Sequence, residues 1–282
     1  MLIPKELLSC CGFVGHKMAD GTEVWRGTAF YVSCPGGNPG LSFGYTVTAA
    51  HVIQNIIAKG VEKILVRCNT KDGGVDCLET NASDWLLNQN RNNCDVAVLM
   101  GVPGDDASVI MLNKDIIAPY GQLGENEIGV GADVFWTGLF TSHVGTTRNE
   151  PLVRTGHIAA LPLDGVRTQV GAMNAYLIDG IPLGGFSGAP VFSNHGTLKT
   201  VDGAIRTAKG PIIRLIGMIH GHFNIDQSTV EGRGAADDMS PSLHTGIAVV
   251  IRSDDILEML THHVIVDTEK KLNDEASQSN SG

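Results

Sequence analysis

Asp179-Gly180-Ile181-Pro182-Leu183-Gly184-Gly185-Phe186-Ser187-Gly188-Ala189-Pro190-Val191-Phe192 sets one serine among glycines, with a proline and an apolar pair behind it. Glycine lets the backbone take left-handed angles and lets a substrate approach main-chain N–H groups. A nucleophilic serine needs both, because its attack puts negative charge on a carbonyl oxygen. Backbone donors aimed at that oxygen are usually the largest single catalytic contribution. Taken alone, the stretch reads equally well as a Gly-rich turn before an ordinary strand.

Two other stretches decide between these readings. Tyr45-Thr46-Val47-Thr48-Ala49-Ala50-His51-Val52-Ile53 is a strand that runs into a histidine. Asn93-Cys94-Asp95-Val96-Ala97-Val98-Leu99 is an apolar strand opened by an aspartate. A nucleophilic serine needs a base, and the base needs an orienting acid. Here they come in the order His, Asp, Ser, with separations of 44 and 92 residues. That order differs from those of subtilisin and the α/β-hydrolases.

On these residues the chain resembles a trypsin-like (chymotrypsin-fold) serine protease, of the compact bacterial branch that includes the HtrA-like proteases. The matching segments are Gly27-Thr28-Ala29-Phe30, Thr48-Ala49-Ala50-His51, Asp95 to Leu99, Gly185 to Pro190 and Leu215-Ile216-Gly217. The resemblance covers roughly residues 20 to 252. It departs from the family at Phe186 and Ala189. Trypsin relatives carry at the first position an aspartate that pairs with a freshly cut N-terminus. Phe186 cannot form that pair, so the resemblance implies activity without that trimming, with Phe186 packed into the second barrel.

Composition bounds the rest. The 282 residues are 43% hydrophobic, enough for a sizeable core. The 35 glycines and only 5% aromatics suit an all-β chain with many tight turns. A net charge of −10 argues against nucleic acid and acidic membrane surfaces as partners. Pro4, Lys5 and Glu6 break up the N-terminal apolar residues, so no secretory signal is read. All six cysteines, Cys10, Cys11, Cys34, Cys68, Cys77 and Cys94, lie in the first half. They are read as reduced thiols in a cytoplasmic protein, with Cys68 and Cys77 able to meet across a hairpin. No C-x-x-C pair suggests zinc.

Short β runs broken by Gly, Asn, Asp and Pro fill residues 21 to 105 and resume near 128. The resemblance turns these into an all-β fold of two six-stranded β-barrels with a short C-terminal helix. Residues 1–20 are a lead-in. Residues 21–105 are the first barrel, with His51 and Asp95, and 106–127 a connector. Residues 128–265 are the second barrel, with Ser187 and a helix N-capped by Ser253. Residues 266–282 are polar and read as a disordered tail.

The reading is therefore a serine endopeptidase acting on protein or peptide substrates. Ser187 is the nucleophile, His51 the base and Asp95 its orienting acid. The resemblance adds an oxyanion hole at the N–H groups of Gly185 and Ser187. It places the floor of the specificity pocket around Ile181, Pro182 and Leu183, and His220 facing the substrate side chain, unless His220 is a solvated loop residue. No aspartate stands where trypsin carries its Lys/Arg determinant, so cleavage after basic residues is not expected. No metal or cofactor is required, and control is left to the loops, the lead-in or a partner protein. One competitor is an inactive relative used as a binding module, left open by Phe186. The other is an α/β-hydrolase esterase. Gly185-Phe186-Ser187-Gly188-Ala189 nearly gives it G-x-S-x-G, but Ala189 and the missing βα alternation argue against it.

Overall fold

The computed structural model describes residues 3–38, 40–88, 93–124, 128–168, 171–181, 183–194, 196, 198–201, 204–207, 212–225 and 243–279. The first half holds β1 (Cys11–Lys17), β2 (Glu23–Pro35), β3 (Ser42–Thr48), β4 (Lys63–Asn69), β5 (Val75–Asn81), β6 (Trp85–Leu87), β7 (Ala97–Met100) and β8 (Leu112–Asn113). They form one eight-stranded sheet in the order β5-β4-β1-β2-β3-β7-β6, with β8 parallel to β2. Among the described residues its two ends do not pair. The expected first barrel is thus a strongly curled sheet, open along one side.

The second half closes. β9 (Asp133–Gly138), β10 (Leu152–Ala160), β13 (Ala175–Asp179), β14 (Pro190–Asn194), β17 (Ile213–Ile225) and β18 (Leu243–Arg252) make a six-stranded barrel in the order β10-β13-β18-β17-β14-β9. Two hairpins stand apart from it, β11 (Val166–Thr168) with β12 (Gly171–Met173) and β15 (Leu198–Val201) with β16 (Ala204–Thr207). The barrel strands alternate between two cores, because successive side chains of a strand point to opposite faces. Val134, Trp136, Val191 and Val250 pack in one buried cluster, and Phe135, Phe192, Val249 and Ile251 in another that is continuous with the first sheet. Burial on both faces makes Val134-Phe135-Trp136 and Ala248-Val249-Val250-Ile251 continuous apolar runs, whereas β10 is exposed at Thr155, His157 and Ala159.

Three helices matter to the site. α1 (Ala50–Ile57) buries Val52, Ile53 and Ile56 on one face, and the chain leaves it at Gly60, whose φ is +75°. α2 (Ser253–Leu260) carries Asp254 and Asp255 in its first turn, where they favour the helix dipole. Arg252, not Ser253, is its N-cap; the Ser253 hydroxyl donates to the Ala118 carbonyl at 2.5 Å. α3 (His263–Ser279) stands where a disordered tail was expected. Its bonds run back to the first sheet. Tyr45 donates to Glu269, Gly37 N–H donates to Asn273 Oδ1 at 3.0 Å, and Asn38 donates to the Asn273 carbonyl at 3.0 Å. No described helix is long and apolar enough to cross a membrane.

Two further expectations change. The lead-in supplies β1, which lies between β2 and β4, with Cys10, Phe13 and Val14 fully buried. Cys68 and Cys77 do not face each other, since Cys68 opposes Asp76 and Cys77 opposes Arg67. None of the six cysteines is joined in a disulfide.

Candidate active site

Antiparallel register brings the candidate residues together two at a time. β3 and β7 pair with Thr48 opposite Ala97, and the ladder runs one step further, Ala50 N–H donating to the Asp95 carbonyl at 3.2 Å. His51 is the next residue. Its backbone N–H donates to Asp95 Oδ1 at 2.8 Å, and its ring Nδ1 lies 2.8 Å from Oδ2. β14 and β17 do the same on the other side. Pro190 lies opposite Met218, and Gly188 N–H donates to the Ile219 carbonyl at 2.8 Å. That sets Ser187 beside His220, whose carbonyl accepts the Ser187 hydroxyl at 3.1 Å.

Thr28 joins the two halves. Its N–H donates to the Ser187 carbonyl at 2.9 Å, and its hydroxyl donates to the Gly185 carbonyl at 2.8 Å while accepting from Leu139 N–H at 2.9 Å. Its own carbonyl accepts from Thr48 Oγ1 at 2.6 Å. The approach is so close that a Cβ on Gly188, which has φ +85°, would stand 2.1 Å from the Thr28 carbonyl.

The turn around Ser187 orients two N–H groups by pinning the carbonyls of their own peptide planes. The Gly184 carbonyl accepts from Thr141 N–H at 3.1 Å and from Thr141 Oγ1 at 3.2 Å. A trans peptide is planar, so the Gly185 N–H points the opposite way. The Phe186 carbonyl accepts from Ala189 N–H at 2.8 Å, which turns the Ser187 N–H away in the same fashion. Among the described residues neither N–H has an acceptor. Gly185 holds φ +101°, which a side chain would resist. Phe186, fully buried with Trp136 and Val191, anchors the turn in the barrel core.

Asp95 is 6% exposed and takes a third donor: His220 Nδ1 lies 2.5 Å from Oδ2. Burial alone would raise this carboxyl, but the hydrogen bonds from His220 and His51 outweigh it and hold it at about 2. It is a carboxylate at neutral pH and can only accept. Both rings therefore carry their proton on Nδ1. One atom each of His51, Asp95 and His220 lies within 4.8 Å of the others, a set that could ligate a metal. However, bonds of about 2.0–2.1 Å to a tetrahedral zinc would hold neighbouring ligand atoms about 3.3 Å apart. The observed 2.8 and 2.5 Å are hydrogen-bond distances.

His220 therefore turns its Nδ1 to Asp95 and not to a substrate side chain. Of the expected pocket floor, Ile181 is 44% exposed, Leu183 packs against the barrel core, and Pro182 lies outside the described residues. A hollow of about 420 Å³ opens beside His51, lined also by Arg26, Asn55 and Lys59. The motifs did not point to the bonds made by Thr28 and Thr141. For His220 one signal was available, since a glycine inside a strand pattern, here Gly221, suggests a bulge.

No family model and no curated protein matches the sequence. Among solved structures the chain is similar to the MamO protease domain of Magnetospirillum magneticum in its apo form. The match has a TM-score of 0.50 and covers 91% of this chain and 98% of that one, at 14% identity. The fold is that of a trypsin-like protease. At this identity the likeness is one of fold.

Proposed function

We propose that the chain is a serine endopeptidase that cuts peptide bonds through an acyl-enzyme. The observation that carries the reading is the buried Asp95 carboxylate, which grips His51 by its backbone N–H and its Nδ1. Thr28 ties the serine turn to the same sheet through its N–H to the Ser187 carbonyl, and the Ser187 hydroxyl itself rests on the His220 carbonyl rather than on His51. With Nδ1 protonated, Nε2 of His51 is left to take the Ser187 proton. Ser187 Oγ then attacks the scissile carbonyl, and the oxyanion forms against the N–H groups of Gly185 and Ser187. His51 returns the proton to the leaving amine, and water releases the acyl group by the same route. Catalytic hydrogen bonds often form only when substrate binds. Rotation of Ser187 about its Cα–Cβ bond moves its hydroxyl off the His220 carbonyl.

That resting bond also favours a second reading, a catalytically silent relative used as a binding module. Cleavage of a peptide library separates the two: an endopeptidase gives cuts that vanish in Ser187→Ala, and a binding module gives none. Mapped cuts also report the residue preference, for which this reading excludes Lys and Arg. Kinship with the HtrA-like branch, a regulatory partner and a cytoplasmic setting belong to the same proposal. Burial pushes the thiols of Cys34, Cys68 and Cys77 up to about 11, so they stay protonated and slow to oxidise. Six thiols are expected on titration under denaturing, non-reducing conditions; four would point to a disulfide and another compartment.

A further inference from the structure

His220 touches two of the three proposed triad members, Asp95 through its ring and Ser187 through its carbonyl. A β-bulge puts it there. Along the β17–β18 ladder Ile219 opposes Val250 and Gly221 opposes Val249, so β17 advances two residues while β18 advances one. His220 is the extra residue. A bulge re-aims a side chain relative to strict alternation, and this one aims the imidazole at Asp95. The two rings meet edge to face, with centroids 5.2 Å apart and planes at 79°.

We propose that His220 is a positioning residue: Asp95 is shared by two imidazoles, and His220, by donating from Nδ1, fixes the carboxylate that orients His51. Asp95 Oδ2 accepts from both rings, and Oδ1 accepts from the His51 backbone. With His220 gone, Oδ2 keeps one donor and the buried carboxylate gains freedom to turn. His51 then loses the fixed partner that sets its tautomer and its ring plane. The carbonyl of His220 is main chain and survives any substitution, so the two contacts can be tested apart.

The kinetic arm rests on the endopeptidase reading; the spectroscopic arm does not. In Ser187→Ala protein at pH 7, proton NMR should show two strongly downfield N–H resonances. One should disappear in His220→Phe and the other in His51→Phe. A single resonance, unaffected by His220→Phe, would overturn the proposal whether or not the chain is an enzyme. In the active protein, His220→Phe should lower kcat roughly tenfold to a hundredfold and leave KM within about twofold. His220→Asn puts an amide N–H where Nδ1 stood and should restore most of kcat. A raised KM or an altered residue preference with kcat intact would instead make His220 a pocket residue and contradict the proposal. So would an Asn variant as slow as the Phe variant. If no variant hydrolyses peptide while both resonances are present, the shared carboxylate stands and the endopeptidase reading fails.

Discussion

The open sheet and the closed barrel each deliver two residues to the candidate site from the ends of an antiparallel pair, His51 with Asp95 from β3 and β7, Ser187 with His220 from β14 and β17. They differ in what fixes those ends. In the sheet the register is regular and the pair is held by its own bonds, three of them between residues 50–51 and Asp95. In the barrel the serine turn relies on groups outside its ladder, Thr28 and Thr141, and the β17 end is bulged. On the proposed reading the sheet would supply a preassembled base, while the barrel would supply a nucleophile whose aim depends on contacts across the interface.

The largest test concerns the open sheet, and which of the two terminal elements attached to it the fold can spare. Deleting residues 3–20 removes β1 from the middle of the open sheet, with the fully buried Phe13 and Val14. At about 1.5–3 kcal/mol per large side chain, beside the strand's ladder on both edges, the loss approaches total stability. No cooperative melt is expected by circular dichroism. Deleting residues 263–282 should leave a cooperative melt shifted downward, because α3 adds no strand to the sheet and is tied to it at Gly37, Asn38 and Tyr45. A folded, active chain lacking β1 would break the contrast.

Thr28→Val sharpens it. The variant keeps the backbone bond to Ser187 but orphans the Leu139 N–H and the Gly185 carbonyl. Each such loss costs about 1–3 kcal/mol, and covalent labelling of the serine should slow at least about tenfold. Thr46→Val is the control. Its hydroxyl, equally buried, donates to the Gly101 carbonyl at 2.7 Å within the sheet. It should cost stability without slowing labelling. Equal slowing in both variants would show that Thr28 acts through stability alone.

A smaller effect is set by Asp95. Its carboxyl is lowered from 3.8 to about 2, so its stabilisation is complete above pH 3.8 and fades as pH falls through 2. The shift corresponds to about 2 kcal/mol. Urea midpoints of the native protein should fall over that window more than those of Asp95→Asn, which has no carboxyl to protonate. Parallel curves would show that the two histidines do not hold the carboxylate.

The sheet's contribution was the more legible one. Thr48-Ala49-Ala50-His51 and Asp95-Val96-Ala97 carry both the motif and the strand signals, and regular antiparallel pairing does the rest. The Gly-rich stretch around Ser187 was legible as a turn ahead of β14. The role of His220 was not, because a single extra residue decides which way a side chain points and the alternation gives no count of it. The bonds of Thr28 to Leu139 and the serine turn join residues 111 to 159 positions apart, with no local signature. α3 hid for the same reason. Its sequence is polar, and the partners that hold it, Gly37, Asn38 and Tyr45, lie more than 220 residues away. β1 was missed because the motif-bearing segments begin only after it.

The most direct test of the account is covalent. A fluorophosphonate reacts only with a serine whose hydroxyl is activated by a base beside an oxyanion site. Incubation of the full chain followed by peptide mapping should place one adduct on Ser187. The rate should fall roughly 10⁶-fold in His51→Ala, as expected when the base of such a triad is removed. No adduct on the native protein, or one on another serine, would contradict the central claim.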